Sequence, residues 1–384
     1  MADPHLQQAD DDSGRASARS GSTVDDDVRH AQSGRPERGH RAARRRRPGT
    51  VRWRSTLAAL VTGTVAALSI AACVSTGGGG GGRLSQLPAP PSRADNPTTP
   101  EKVALGKQLF FDQRLSGSGR NNCESCHYRD LGWTDGLQLS RRDDGALNTR
   151  HSPTLYNVAY LTAWYWDGRA TTLEAQILAA WRNQMSGDPD KVAARLAGIP
   201  AYAAQFQQVF GSAPTGDAIV KALAAYVRTK NSGESTWDRH EKGEPNAVSA
   251  DAIAGFGVFM GKGRCAICHT PPLYSDGGFH NIGLEAGKAK PDPGRFAVTR
   301  QPQDMSAFKT PTLRSVATSG PWFHDGSGAS LEATVRYMAS GGGNDPNKSP
   351  LLVDTALTDQ EVRQVVAFLR TLTSHEPLVR PAIP

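Results

Sequence analysis

Two short segments combine paired thiols with an imidazole. CESCH at residues 123–127 and CAICH at residues 265–269 share the spacing Cys-x-x-Cys-His, which is typical of covalent attachment of haem c. Two thiols three residues apart on one turn reach both vinyl groups of one porphyrin, and the next residue places its imidazole under the iron. The predicted attachment residues are Cys123, Cys126, Cys265 and Cys268, and the predicted proximal iron ligands are His127 and His269.

Cysteine and histidine also form zinc sites and redox dithiols, so both alternatives need to be weighed. A zinc site needs four ligands in one place, whereas the two motifs are separated by a domain's length of chain. A thioredoxin-like dithiol is expected in a βαβ setting, and neither motif has one. Two covalently bound haem c groups are therefore the favoured interpretation.

Each motif follows a segment with helical spacing of apolar residues. These segments are 101–111, preceded by Thr99 and Pro100, and 249–260, and together they form a weak internal repeat. Further helices are predicted at 216–230 and at 358–373, where Thr358 and Glu361 form a capping box. No convincing alternating strand is present, and 40 Gly with 25 Pro indicate long loops. The predicted fold is all-α, with two cytochrome c-like haem domains at 97–240 and 241–384.

The segments before residue 97 show a different composition. Residues 1–55 are rich in Arg and Asp and poor in apolar residues, so we expect them to be disordered. Residues 56–73 combine a basic flank, a short apolar run and the ending Ile-Ala-Ala-Cys, which predicts an export signal with a lipoprotein cleavage box. A lipid on Cys73 would anchor the protein; plain secretion and an uncleaved anchor are the alternatives. The Gly- and Pro-rich residues 74–96 are then a flexible linker.

Charge excludes one class of partner. The 384 residues carry 44 Lys+Arg and 37 Asp+Glu, a net charge of +7. Residues 1–55 hold twelve Arg and eight acidic residues, which accounts for +4 of that total. The predicted domains are thus nearly neutral, and we expect no binding of nucleic acid.

With two haems placed, the surrounding sequence resembles the bacterial di-haem cytochrome c peroxidase family, which includes the MauG-like enzymes. The resemblance covers about residues 100–374. It rests on the segments SPTLYN (152–157), WDGRA (166–170), FHNIG (279–283), FKTPTLR (308–314) and FHDG (323–326), which occur in the family's order. It implies that the haem on His127 is the peroxidatic, low-potential group and that the haem on His269 accepts electrons.

The resemblance also implies a distal ligand for the second haem. The ligand stands fourteen residues after the His of the His-Asp-Gly segment, and it is Met in the peroxidases and Tyr in MauG-like enzymes. Counted from His324, that position is Met338, with Tyr337 one residue before it. A thioether ligand raises the potential of a haem, which suits an electron acceptor. The alternative is that Met338 only packs in its helix.

Three residues of the first domain match catalytic positions of the family. Trp166 matches a tryptophan between the two haems, and Gln176 matches a glutamine of the peroxide pocket. Gln184 stands where the family has a catalytic glutamate; an amide cannot titrate as a carboxylate does, which argues against rapid turnover. The family's distal His of the first haem falls in Arg-Arg-Asp-Asp at 141–144, which predicts an open sixth position.

His151 replaces an asparagine that, by the resemblance, helps to bind Ca²⁺ between the haems. The other family contacts are carbonyl groups at positions matching Ser319 and Pro321. An imidazole is a poor ligand for a hard cation, so Ca²⁺ is a doubtful cofactor. His151 is interpreted as a polar residue near a haem propionate, with an acid–base role and axial ligation as alternatives. Structural roles are expected for His280, His324, Arg169 and Arg314.

The resemblance predicts a function for the whole chain. We expect a peroxidase of the bacterial cell envelope, exported to the periplasm, that reduces hydrogen peroxide with electrons from a small c-type cytochrome or a cupredoxin. The alternatives are a MauG-like enzyme that oxidises a protein partner and a non-catalytic electron carrier or redox sensor. Family members are commonly dimers, so a homodimer is also an expectation.

Overall fold

The computed structural model describes residues 84, 87–91 and 93–384. The expected disordered segment, the export signal with Cys73 and most of the linker lie outside these residues. Within the described part, no helix is both long enough and apolar enough to cross a bilayer.

The described chain consists mainly of α-helices joined by long loops, as the sequence predicts. The helices are α1 (Pro100–Phe110), α2 (Leu173–Asn183), α3 (Pro189–Ala197), α4 (Pro200–Phe210), α5 (Gly216–Val227), α6 (Thr236–Glu241), α7 (Ala250–Met260), α8 (Phe296–Thr299), α9 (Leu331–Ala339) and α10 (Asp359–Thr371). Helices α1, α5, α7 and α10 confirm the predicted segments. The other six, α2–α4, α6, α8 and α9, were not predicted. Two antiparallel two-residue strands, β1 (Phe279–His280) and β2 (Phe308–Lys309), form the only sheet among these residues.

The first half of the described chain is built around the pair α1 and α5. Thr99 caps α1 by accepting a hydrogen bond from the backbone N–H of Lys102, and Pro100 begins the helix, which satisfies the free N–H groups of the first turn. The buried side chains of α1 meet those of α5, and Phe110 contacts the ring of Tyr226 at 5.3 Å between centroids. This pair supports the loop that carries the first Cys-x-x-Cys-His motif.

The second half repeats the arrangement with α7 and α10. The predicted capping box at the start of α10 is confirmed: Glu361 N–H donates to Thr358 Oγ1 and Thr358 N–H donates to the Glu361 carboxylate. Trp237 on α6 packs against Phe256 and Phe368, with ring centroids 4.6 and 4.9 Å away. The packing of the second half thus begins at α6, across the expected domain boundary at 240/241.

Each helix pair approaches closely at one glycine. A Cβ atom on Gly255 of α7 would collide with the backbone carbonyl of Gln364 on α10, whereas a Cβ on Gly257 would meet no atom within 4 Å. We expect Gly255→Ala to lower the free energy of unfolding by about 1–3 kcal/mol, because two backbones have to separate. Gly257→Ala is the control and is expected to raise stability by about 0.5–1 kcal/mol. Thermal unfolding of the haem-loaded variants measures both, and equal melting temperatures would refute the close-approach argument.

Ion pairs and the chain terminus connect the two halves. The guanidinium of Arg150 donates to Asp167 at 2.7 Å and to both carboxylate oxygens of Asp292 at 2.7 and 2.8 Å. The C-terminal segment returns to the first half, where Arg380 makes a bidentate ion pair with Glu124. These contacts bring both Cys-x-x-Cys-His motifs into one compact unit.

Candidate functional site

The first Cys-x-x-Cys segment forms a short 3-10 turn over Cys123–Cys126. Asn122 Oδ1 accepts from the N–H of Ser125, and Asn122 N–H donates to Ser125 Oγ, both at 3.1 Å. This reciprocal cap holds the turn at a cavity of about 400 Å³ that Cys123, Cys126 and His127 line together. The three predicted haem-binding side chains therefore meet at one cavity.

The imidazole of His127 is oriented by a backbone carbonyl. Its Nδ1 lies 2.8 Å from the carbonyl oxygen of Trp133, so Nδ1 carries the proton and donates it. Burial lowers the pKa of His127, which favours the neutral ring with a lone pair on Nε2. A neutral imidazole whose other nitrogen is bound to a carbonyl is the usual form of a metal-ligating histidine.

The second motif has the same design in a separate cavity. Cys265, Cys268 and His269 line a cavity of about 240 Å³, and His269 Nδ1 donates to the carbonyl oxygen of Tyr274 at 2.9 Å. Burial lowers the pKa of His269 as it does that of His127. Because the two thiol pairs line different cavities, they do not form a single four-cysteine zinc site.

The first thiol of each pair is held in its neutral form. Burial raises the pKa of Cys123 to about 12 and that of Cys265 to about 11. Thiolates are the reactive and zinc-binding form of cysteine, so neither Cys123 nor Cys265 has the low pKa of a redox-active thiol. Apolar cavities with paired thiols and an oriented imidazole fit haem c.

Trp166 lines both cavities. Its indole Nε1–H donates to the carbonyl oxygen of His151 at 2.9 Å, and its own carbonyl accepts from the N–H of Lys309 at 2.8 Å. The first bond orients the indole ring, and the second holds the backbone of Trp166. Trp166 is therefore shared by the two candidate haem sites.

Both predicted glutamines line the first cavity. Gln176 lies on α2, and Gln184 follows the end of that helix. The side-chain oxygen of Gln184 is buried and has no hydrogen-bond partner among the described residues, so it is free to accept from a molecule in the cavity. Residues 141–144 do not line this cavity.

Lys309 is a cavity residue that sequence reasoning missed. It lines both cavities, and its Nζ donates to the carbonyl oxygen of Ala163 at 2.9 Å. Burial lowers the pKa of its ammonium group to about 8. In the sequence, only its place in the FKTPTLR segment points to Lys309. The burial of its side chain could not be predicted, because it depends on the docking of β2 against the loop that carries Trp166.

The structure separates Met338 from Tyr337. Met338 lines the second cavity, the one that His269 also lines. The hydroxyl of Tyr337 donates to the carbonyl of Ile282 and accepts from the N–H of Gly343, both at 3.0 Å. Because Tyr337 is engaged elsewhere and does not line the cavity, Met338 is the available ligand of the two.

Four further predicted residues have structural contacts. His324 Nε2–H donates to Glu285 at 2.8 Å and the ring stacks on Phe308, with centroids 3.5 Å apart. His280 pairs with Asp276 at 2.8 Å and lines the second cavity. The other two pairs are Arg314 with Asp238 and Arg169 with Asp167.

Comparison with known proteins agrees with this geometry. A family model described as di-haem cytochrome c peroxidase matches residues 100–246. Cytochrome-c peroxidase IdrP1 of Denitromonas iodatirespirans is 39% identical over 355 residues, which cover 83% of this chain and 94% of that protein. Methylamine utilization protein MauG of Methylorubrum extorquens is 42% identical over 294 residues, covering 75% and 83%. A crystal structure of a MauG-like protein associated with microbial copper homeostasis aligns with a TM-score of 0.70 and 30% identity, covering 75% of this chain and 93% of that chain.

The chain belongs to the di-haem cytochrome c peroxidase family. This confirms the family resemblance drawn from the motifs and the mainly helical, di-haem fold. Membership implies covalently bound haem c as the cofactor and an oxidoreductase as the class of protein.

Proposed function

We propose that this chain is an exported di-haem peroxidase that reduces hydrogen peroxide to water. One H₂O₂ takes up two electrons and two protons and yields two molecules of water. The observation that carries the proposal is that Trp166 lines both cavities. The side chains of Gln176 and Gln184 line the first cavity, and the thioether of Met338 lines the second. Relatives named cytochrome-c peroxidases support it.

The chain's own residues hold and orient the reacting groups. Cys123 and Cys126 would bind one haem and Cys265 and Cys268 the other, with His127, His269 and Met338 as iron ligands. When bound, the haems supply the redox chemistry that splits the peroxide bond. Gln184 contributes a hydrogen-bond acceptor inside the first cavity. The hydrogen bond from Trp166 Nε1–H to the carbonyl of His151 orients the aromatic ring that lines both cavities.

Electrons come, in this proposal, from a small c-type cytochrome or a cupredoxin, one at a time, and reach the Met338 side first. A thioether ligand raises a haem potential, so the second site suits the electron-accepting role.

We further propose a periplasmic location with a lipid on Cys73 as the membrane anchor, and a homodimer as the assembly. Family membership is consistent with export.

A turnover assay tests the proposal. Haem-loaded protein, produced in a host that matures c-type cytochromes, is mixed with H₂O₂ and a reduced small c-type cytochrome, and with a reduced cupredoxin in parallel. We expect oxidation of two equivalents of donor for each H₂O₂ consumed. A protein that carries both haems and oxidises neither donor would refute the peroxidase.

A second candidate is oxidation of a protein partner, as in MauG-like enzymes. The 42% identity to a MauG protein favours it. Met338 argues against it, since the MauG-like enzymes are expected to carry Tyr at that position. Consumption of H₂O₂ that oxidises an added protein partner by two electrons, while neither donor is oxidised, would support this candidate over the peroxidase.

A further inference from the structure

The two cavities share a set of lining residues, which we call the seam. The seam comprises His151, Pro153, Thr154, Trp166 and residues 309–312. His151 is the only histidine among them, and it is 4% exposed. The hydrogen bonds of His151 therefore bear on which groups fill the space between the two candidate haem sites.

Three of the four polar atoms of His151 are engaged. Its N–H donates to the carbonyl of His324 at 2.8 Å, its carbonyl accepts from Trp166 Nε1–H at 2.9 Å, and Nδ1 donates to the carbonyl of Leu137 at 2.8 Å. One residue thus connects the first half, the second half and the indole between the cavities.

The fourth polar atom, Nε2, is buried and has no hydrogen-bond partner among the described residues. Because Nδ1 carries the proton, Nε2 is a lone-pair acceptor. Burial lowers the pKa of His151, while the nearby carbonyl of Ser319 and the carboxylate of Asp135 favour protonation. A buried acceptor without a donor costs about 1–3 kcal/mol, so this nitrogen is expected to meet a donor in the complete protein.

The family implies Ca²⁺ at this place, and the residues do not fit it. Ca²⁺ takes six to eight oxygen ligands, whereas the side chain at 151 offers a nitrogen. Ser319 and Pro321, whose carbonyls the family would use, line the second cavity. Among the described residues, two clusters of three His, Cys, Asp or Glu side chains could hold a metal: Cys268 with Asp276 and His280, and Glu285 with His324 and Asp325. Neither cluster contains His151.

The second of these clusters is already neutralised by protein groups. Lys288 Nζ lies 2.7 Å from Glu285 and 2.9 Å from Asp325, and the other Glu285 oxygen accepts from the N–H of Asp292 at 2.8 Å. An ammonium group therefore stands where a cation would bind.

We propose that the His151 imidazole takes the place of the inter-haem cation, so that this protein holds Trp166 between its two sites without calcium. The main chain of His151 positions the indole, and its imidazole lines the seam without supplying the oxygen ligand that a calcium ion needs. His151 is a positioning residue in this account. The inference concerns the site of the proposed function, but it is tested by calcium content and spectra and not by turnover.

The experiment compares wild type with His151→Asn and His151→Leu, all haem-loaded. Each protein is equilibrated with CaCl₂, desalted and analysed for bound calcium; absorption and electron paramagnetic resonance spectra are then recorded with and without the chelator EGTA. We expect no stoichiometric calcium and no effect of EGTA in wild type. Asn restores an oxygen ligand, so His151→Asn is expected to retain about one Ca²⁺ per chain and to show spectra that EGTA changes reversibly.

His151→Leu separates the gain of a cation from the loss of the imidazole, because it removes Nε2 and offers no ligand. It is expected to bind no calcium and to show spectra altered from wild type and insensitive to EGTA. Stoichiometric calcium in wild type with a spectral response to EGTA would overturn the inference. So would a folded His151→Asn protein that binds no calcium, since the seam would then lack the other ligands of a cation site. Either result leaves the peroxidase assay unaffected, so the two proposals fail separately.

Discussion

Gln184→Glu is expected to raise the second-order rate constant for H₂O₂ consumption by about two to four orders of magnitude. Cleavage of the peroxide bond to give water requires a proton to move from one oxygen to the other, and a positioned acid–base group typically contributes about 10²–10⁴-fold. Gln184 lines the first cavity with a buried, unpartnered oxygen. A carboxylate at this position would accept and return a proton, which an amide cannot do.

Stopped-flow mixing of the haem-loaded variant with H₂O₂ measures this rate constant directly. Gln184→Leu is the matched control, because it removes the amide without adding an acid, and its rate constant is expected at or below that of wild type. Gln176→Glu places a carboxylate at the other glutamine of the same cavity and tests whether position matters. An unchanged rate constant in Gln184→Glu would show that proton transfer at residue 184 does not limit the reaction.

The pH dependence of the Gln184→Glu rate constant is a second test of proton transfer at residue 184. The ionised carboxylate is the form that accepts a proton, so the rate constant of Gln184→Glu should rise as pH increases through the pKa of the new glutamate. That pKa is expected above the ordinary value of about 4.3, because the cavity is buried. The rate constant of wild type should not show this rise with pH, since Gln184 does not titrate.

The sequence predicted the parts of the site that depend on local spacing. Cys123, Cys126 and His127 are adjacent in the chain, so one turn brings them together whatever the rest of the fold does. The helices before the two motifs and the capping box at Thr358 were also local patterns. Helices α2–α4 were missed, although α2 and α4 are as long as α1 and α7 and although Pro189 and Pro200 mark the starts of α3 and α4, a position where proline is common.

Other features depend on tertiary contacts and so could not be derived from spacing. Lys309 and His151 are isolated polar residues in the sequence, and only the docking of the two halves gives them places at the seam. The choice between Met338 and Tyr337 depends on the rotation of α9 about its axis. A difference of one residue turns a side chain by about 100° on a helix of 3.6 residues per turn, which no alignment by counting can settle.

Met338→His is expected to lower the reduction potential of the second haem by a few tenths of a volt, roughly, within the span of about 0.8 V that axial ligands control. A thioether favours ferrous iron, and an imidazole favours it less. The structure supports this residue because Met338 lines the cavity with His269, while the Tyr337 hydroxyl is bound to Ile282 and Gly343. Spectroelectrochemical titration of the haem-loaded variant measures the shift, and the potential of the first haem should move much less.

Met338→Leu and Tyr337→Phe complete the test. Leucine has no ligand atom, so the second haem of Met338→Leu is expected to become five-coordinate and to give a high-spin electron paramagnetic resonance signal. Tyr337→Phe removes only the hydroxyl and should leave both potentials and the spin state close to wild type. The opposite pattern, with a silent Met338→Leu and a spectral change in Tyr337→Phe, would assign the ligand to Tyr337. The second haem would then have no thioether ligand to raise its reduction potential. The proposed direction of electron transfer, from the donor to the second haem, depends on that higher potential.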